Sequence, residues 1–154
     1  HRDFFMADLS RVEQRFFSNE SVISDKPFSL IGRRHVRSNN SWLHNSKRLV
    51  KGKNRCTVMI HPYDASALNI DNAQVVKVES RVGQIELPAE ITEEVMQGVV
   101  SIPHGFGHNK SGTGWKVAEA HAGVSVNDLS DEMQIDELSG NAVLNGVPVS
   151  IQTI

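Results

Sequence analysis

Apolar and polar residues alternate from Val76 to Ile91 with one interruption, and no other feature constrains the fold as much. Val76 and Val78 alternate with Lys77 and Glu79; after Arg81-Val82-Gly83, Ile85, Leu87, Ala89 and Ile91 alternate with Gln84, Glu86, Pro88 and Glu90. Successive side chains of a strand point to opposite faces, so a period of two collects the apolar set on one side. The stretch predicts a β-hairpin with one buried face and its turn at 81–83. Pro88 cannot donate to a ladder, which puts it on an edge or at a ladder's end.

The same rhythm of short strands runs through the chain. Phe28–Ile31, Cys56–Ile60, Val99–Ile102 and Val147–Ile151 are short apolar runs bounded by turn formers, as buried strands are. Asp64 is placed to cap a brief helix over Ala65–Leu68, which Asn69 ends in a left-handed conformation. Thr92 to Gly98 reads as a second capped helical turn, with acid at its start and glycine at its exit. Strands separated by single helical turns, without long βα alternation, predict a mainly β chain closed into a small barrel. Ahead of it, Met6, Leu9, Val12 and Phe16 recur at near-helical spacing and predict an amphipathic helix over Asp3–Phe17.

Ser24-Asp25-Lys26-Pro27 breaks the helical pattern and divides the chain into a helical lead-in, 1–24, and a barrel, 25–154. With 154 residues the chain can bury one continuous core without disulfides or metals as staples. No apolar run approaches the roughly 18 residues of a membrane helix. The start, His1-Arg2-Asp3, matches neither a signal peptide nor an initiator methionine, so the chain reads as a piece of a longer protein. The lone Cys56 excludes an intrachain disulfide and a Cys-clustered metal site; it reads as a buried strand residue in a reducing, cytoplasmic setting.

The formal net charge of −2 conceals a strong asymmetry. From Lys26 to Tyr63 there are nine basic residues and no Asp or Glu; from Val117 to Ile154 there are six acidic residues and no Lys or Arg. A cationic block points to an anionic partner, above all phosphate in a nucleotide or polynucleotide. The plainer expectation is that the two blocks neutralise each other across the folded surface.

Several tempting motifs fail on their chemistry. His104 and His108 have the spacing of two ligands on one helix, but Pro103, Gly105 and Gly107 exclude a helix there, and zinc needs three or four convergent ligands. The glycine-rich stretch 107–116 lacks the Gly-Lys-Ser/Thr order of a P-loop and reads as a surface loop. No Gly-x-Ser-x-Gly elbow supports a hydrolytic triad.

Two segments keep their interest. Gly32-Arg33-Arg34-His35-Val36-Arg37-Ser38-Asn39-Asn40-Ser41-Trp42-Leu43-His44-Asn45 follows a strand end and concentrates guanidinium, imidazole, hydroxyl and carboxamide groups suited to holding a phosphate-bearing ligand. Pro103-His104-Gly105-Phe106-Gly107-His108 follows another, with glycines that permit close backbone approach and a flat apolar ring. The alternative for the first segment is a hydrophilic loop anchored by Trp42 and Leu43, and for Phe106 an ordinary core position.

These two segments, with His61-Pro62-Tyr63-Asp64-Ala65, Leu68 and Ile70, and Val126-Asn127-Asp128-Leu129, make the chain resemble the C-terminal molybdopterin dinucleotide-binding domain of bacterial molybdopterin oxidoreductases. That is the dimethyl sulfoxide reductase family, which includes formate dehydrogenases and nitrate reductases. The resemblance runs from about Asp25 to the C-terminus and implies a six-stranded double-psi β-barrel. It implies contacts to bis(molybdopterin guanine dinucleotide) from Gly32, Arg33, Arg34, His35, Arg37, Ser38, Asn40, Trp42, His44 and Asn45, and from His104, Gly105, Phe106 and Asn127. Phe106, where relatives often carry Trp, would meet a pterin, and Asn127 would hydrogen-bond to one.

The resemblance further implies that molybdenum or tungsten is ligated by other domains of the parent enzyme, that an electron-transfer subunit is a further partner, and that this domain alone is inactive. Where many relatives have Leu-Gly-Ile and then Asp-Gly-Asp, this chain has Leu68-Asn69-Ile70 and Asn72-Ala73-Gln74. Ala73 resists a left-handed conformation, so this turn is expected to be reshaped. The competing function is a nucleic-acid-binding barrel using the basic segment 26–55, with Trp42 stacking on bases.

Overall fold

In a computed structural model that describes residues 2–17 and 25–154, the short apolar runs form six strands. These are β1 (Phe28–Arg33), β2 (Val58–Ile60), β3 (Val75–Glu79), β4 (Gln84–Ile91), β5 (Val99–Pro103) and β6 (Val147–Thr153). They close into a barrel in the order β1-β5-β2-β4-β3-β6. The β1·β5 and β2·β4 pairs are parallel and the others antiparallel. This is the six-stranded double-psi β-barrel that the family resemblance implied.

Period-two alternation fills the barrel. Leu30, Val58, Ile60, Val76, Val78, Leu87, Ala89, Val100, Ile102, Val149 and Ile151 are all buried in one core cluster. Each fully buried Val, Leu or Ile contributes about 1.5–3 kcal/mol relative to an exposed one. Pro88 pairs with Val75 at the end of the β3·β4 ladder, and the β2·β4 ladder begins only at Ala89, so its missing amide proton is tolerated at the end of both.

The helices are brief apart from the first. They are α1 (Arg2–Phe17), α2 (Lys47–Val50), α3 (Pro62–Ala67) and α4 (Lys116–Glu119). On α1 the apolar positions Phe4, Phe5, Met6, Leu9, Phe16 and Phe17 are exposed. Its Arg11 makes ion pairs with Asp8 (2.6 Å) and Glu137 (3.2 Å). Of the break expected over Ser24–Pro27, Ser24 lies outside the described residues, and 25–27 are in neither helix nor strand.

Two local expectations need correction. The cap of α3 is His61 rather than Asp64: its Nδ1 accepts from the Tyr63 amide at 3.2 Å, and Pro62 starts the helix with its preset φ. Asp64 instead accepts from the Gly98 amide at 2.8 Å. The segment Thr92 to Gly98 is a pair of turns and not a helix. Tertiary bonds outcompete its helical signals, because the Thr92 amide donates to the Ile60 carbonyl (3.0 Å), Val95 sinks into the interior and Asp64 holds Gly98.

Asn69 is left-handed as expected, with φ 54°, and Ala73 is left-handed too, with φ 68°. The expected reshaping of this turn therefore does not occur. The Ala73 amide donates to Ala89 (2.9 Å), the Ala89 amide donates to Gln74 (2.8 Å) and the Ile91 amide donates to Asn72 Oδ1 (3.0 Å). These bonds keep the turn docked on β4 against a left-handed cost of about 1–2 kcal/mol. Ala73→Gly should relieve that strain; after the added entropy of the unfolded chain, a net gain of about 0.5–1 kcal/mol remains. The expected result is a higher urea midpoint at unchanged slope.

Candidate functional site

β1 ends at Arg33 and Arg34 follows it directly, and the two arginines have different surroundings. Leu30, Gly32 and Arg34, spaced by two, line a cavity of about 120 Å³ at the mouth of the barrel. His104, directly after β5, Asn127 in the 3₁₀ turn Val126–Leu129, and Asn145, just before β6, complete its polar wall. Arg34 also borders an open groove with His35, Val36, Asn39, Asn40 and Leu43. Asn39 and Asn40 shape that groove with positive φ values of 40° and 62°, a region asparagine tolerates.

Among the described residues, no hydrogen bond or ion pair engages the side chains of Arg34, Asn40, His104 or Asn127. The local field is positive. Burial, then Arg55, Arg37 and Arg33, push the His35 imidazole below its ordinary value, and burial, then Arg34, do the same to His104. Cavity and groove together present uncommitted donors in a cationic setting, which suits a ligand rich in oxygen acceptors.

Arg33 has the opposite role. Its guanidinium donates to the Ser101 carbonyl, to the Thr57 carbonyl (2.9 Å) and hydroxyl (2.8 Å) and to the Arg55 carbonyl (3.4 Å). The Thr57 hydroxyl donates onward to Glu90 (2.7 Å), which also pairs with Lys53 (3.0 Å). Burial lowers the pKa of Arg33, opposed by Glu90. Arg33 cross-links β1, β5 and the approach to β2.

The remaining candidates brace the two loops against each other. His44 Nδ1 lies 2.7 Å from His108 Nε2, the His44 and Phe106 rings are 4.4 Å apart at their centroids, and Trp115 stacks on His108. Gly105 has φ 97°, and a Cβ there would lie 1.9 Å from the Asn40 carbonyl oxygen, so the loops meet backbone to backbone. Asn45 Oδ1 accepts from the Val117 (3.1 Å) and Ala118 (3.3 Å) amides at the start of α4. Ser38 is buried, while Arg37 and Trp42 are exposed.

Phe106 and His44 thus do not face the small cavity. They line a separate one of about 460 Å³ with Arg55, Cys56, His121 and Gly123. Sequence reasoning missed it, and its one signal is the run of small residues Ala120, Ala122 and Gly123. A Cβ on Gly123 would come within 2.7 Å of Cys56 Sγ and 2.8 Å of Phe106. Cys56 is buried as expected, its sulfur accepting from the Val124 amide at 3.3 Å.

The ion pairs described do not join the two charge blocks. In the basic block, Lys26 pairs with Glu79 and Lys53 with Glu90, while Arg33 and Arg55 bond to carbonyls. The ion pairs of the acidic block run to Arg11, Arg81 and Lys110.

A family model described as "Molydopterin dinucleotide binding domain" matches residues 28–148. The chain belongs to the molybdopterin dinucleotide binding domain family. It is 34% identical over 151 residues to an F420-dependent formate dehydrogenase subunit alpha of Methanocaldococcus jannaschii, covering 93% of this chain and 21% of the relative. It is 31% identical over 138 residues to the arsenate respiratory reductase molybdopterin-containing subunit ArrA of Chrysiogenes arsenatis, covering 80% of this chain and 16% of the relative. In fold it is similar to acetylene hydratase from Pelobacter acetylenicus, with a TM-score of 0.71 at 17% identity, over 97% of this chain and 20% of that one. The chain spans about a fifth or less of these relatives. As a molybdopterin dinucleotide binding domain it offers a donor set that fits phosphate and ring oxygens: Arg34, Asn40, His104 and Asn127, none committed to the protein.

Two outcomes follow from this geometry. Arg33→Met should destabilise the fold by about 2–3 kcal/mol, because buried carbonyls lose their donor; chemical denaturation measures this. For the histidine pair, burial, then His108 and Arg55, hold His44 down at about 4, and burial lowers His108. The unfolded chain, with ordinary histidines near 6.5, then takes up protons that the folded chain refuses. The pair's share of stability is therefore full above pH 6.5, declines as pH falls, and levels off below about 4 for His44. Nitrogen-15 imidazole spectra at pH 5.5 should show the His44 ring neutral.

Proposed function

We propose that this chain fixes the pterin and nucleotide ends of bis(molybdopterin guanine dinucleotide) in a molybdenum- or tungsten-dependent oxidoreductase. Residues 25–154 form the binding barrel, and 1–24 lead in from the preceding region. The observation that carries this reading is the uncommitted Arg34 guanidinium, shared by the mouth cavity and the groove. Charge-assisted donors of this kind are worth about 1.5–3 kcal/mol each. The length of the relatives supports placing the metal ligand, and with it the reaction, in other parts of a longer chain.

When bound, the cofactor supplies the redox-active metal. The residues of this chain hold and orient. Arg34 donates to anionic oxygens, and His104, Asn40 and Asn127 offer neutral donors and acceptors around it. The loops that carry them are braced in advance by Gly105 on Asn40 and by the His44–His108 contact, so little ordering cost falls on binding. Among the described residues no group of three His, Cys, Asp or Glu is placed to hold a metal ion. The buried Cys56 thiol agrees with a cytoplasmic setting.

The test uses the full-length protein that carries this chain, purified without oxygen from a cofactor-competent host. Metal analysis and mass spectrometry of the released pterin should find molybdenum or tungsten together with the guanine dinucleotide. Arg34→Ala should lower that loading about 10-fold or more, as expected for loss of one charge-assisted bond. A well-folded protein with neither metal nor pterin would overturn the proposal and favour the oligonucleotide-binding reading, with its steep salt dependence.

A further inference from the structure

The β3–β4 hairpin ends in a tip, residues 80–83, that rests against another part of the chain. Buried Ser80 closes the tip: its Oγ accepts from the Val82 (3.2 Å) and Gly83 (3.3 Å) amides, and its own amide donates to the Gly83 carbonyl at 2.9 Å. Gly83 is not left-handed, so the turn itself does not require glycine there. The close approach does. A Cβ on Gly83 would lie 2.2 Å from the Asp128 carbonyl oxygen, in the 3₁₀ turn Val126–Leu129.

Arg81 fixes the same turn at its exit. Its Nε donates to Asp131 Oδ2 (2.5 Å) and its Nη2 to Oδ1 (2.6 Å), a bidentate pair on a carboxylate side chain that is only 3% exposed. Oδ1 also accepts from the Met133 amide at 2.8 Å. Hydrogen bonding from Arg81 holds Asp131 down at about 2, so the carboxylate stays charged near neutral pH. The other ion pair of the turn, Lys110 with Asp128, is exposed on both sides and contributes little. At the turn's entry Gly107 backs onto Ser125, where a Cβ would lie 2.8 Å from the Ser125 Cβ.

This segment carries one wall of the mouth cavity. Val126, Asn127, Leu129 and Ser130 line that cavity, whereas Arg81, Gly83, Asp128 and Asp131 stand outside its lining. In a space of about 120 Å³, a small displacement of four lining residues changes what fits. We propose that the hairpin tip is the strut that places this wall, with Arg81 and Gly83 as positioning residues for the dinucleotide held at Arg34. This rests on the function proposed above and extends it to two residues outside the cavity.

The test uses the full-length protein from a cofactor-competent host, with pterin dinucleotide per folded protein read by mass spectrometry and stability by urea denaturation. Gly83→Ala forces the Asp128 backbone away from the tip. Arg81→Gln releases the exit of the turn. Val76→Ala, in the core at the far end of β3, lowers stability without touching either contact.

The proposal expects Gly83→Ala to lower loading about tenfold and Arg81→Gln about threefold, as donors moved out of place give up part of their bonds to the ligand. Val76→Ala should load as wild type despite its lower urea midpoint. Wild-type loading in Gly83→Ala or in Arg81→Gln would overturn the role of that residue, and Arg81→Gln decides alone if Gly83→Ala does not fold. A loss in Val76→Ala as large as in the tip variants would show that loading follows stability, and would overturn the proposal while leaving the proposed function standing. A wild-type protein without pterin dinucleotide would overturn the proposed function itself, and this inference with it.

Discussion

β1 is held on one side by a parallel ladder to β5, which runs to Arg33, and on the other by an antiparallel ladder to β6, which ends at Leu30. Everything at the mouth of the barrel depends on that arrangement. The strand is rigid up to Gly32, where Asn145 accepts its amide, and Arg33 anchors it sideways to Ser101 and Thr57. The next residue emerges with fixed direction and no protein partner. A donor that projects from a hydrogen-bonded strand loses little freedom when it meets a ligand, which is the physical value of placing it there.

The loops beyond the barrel are not loose in the way their composition suggests. The 32–45 segment is rich in polar groups, yet it is braced at several points against the 103–108 segment and α4. Gly105 admits the Asn40 backbone, His44 meets both Phe106 and His108, and Asn45 occupies the start of α4. The two histidine rings bond to each other, and among the buried side-chain atoms of the described residues His44 Nε2 lacks a hydrogen-bond partner. Much of the polar inventory that looks like ligand chemistry in the sequence is thus spent on holding one loop to another.

The fold was legible to a good degree. Strict alternation identified the β3–β4 hairpin, and turn formers bounded the other strands to within a few residues. The Thr92 to Gly98 segment was misread because a capping threonine, acids and a terminal glycine also describe a pair of tight turns. Its amides are taken by Ile60 and Asp64, neither of them visible from local sequence. The site was legible as two segments but not as a geometry. Arg33 and Arg34 are chemically identical neighbours, and only the register of β1 separates an anchor from a free donor. The larger cavity around Cys56 and Gly123 escaped because small residues carry little signal until something packs against them.

The amino-acid sequence by itself determined the barrel class, the residues of its core and the segments from which polar side chains would come. Those follow from alternation, from backbone preference and from the cost of burying polar groups, all of which act over a few residues. Which side chains remain free for a ligand was decided only by tertiary structure. A donor is committed or available according to the carbonyls that happen to lie within about 3 Å of it, and for Arg33 those carbonyls belong to Ser101 and Thr57, far away along the chain.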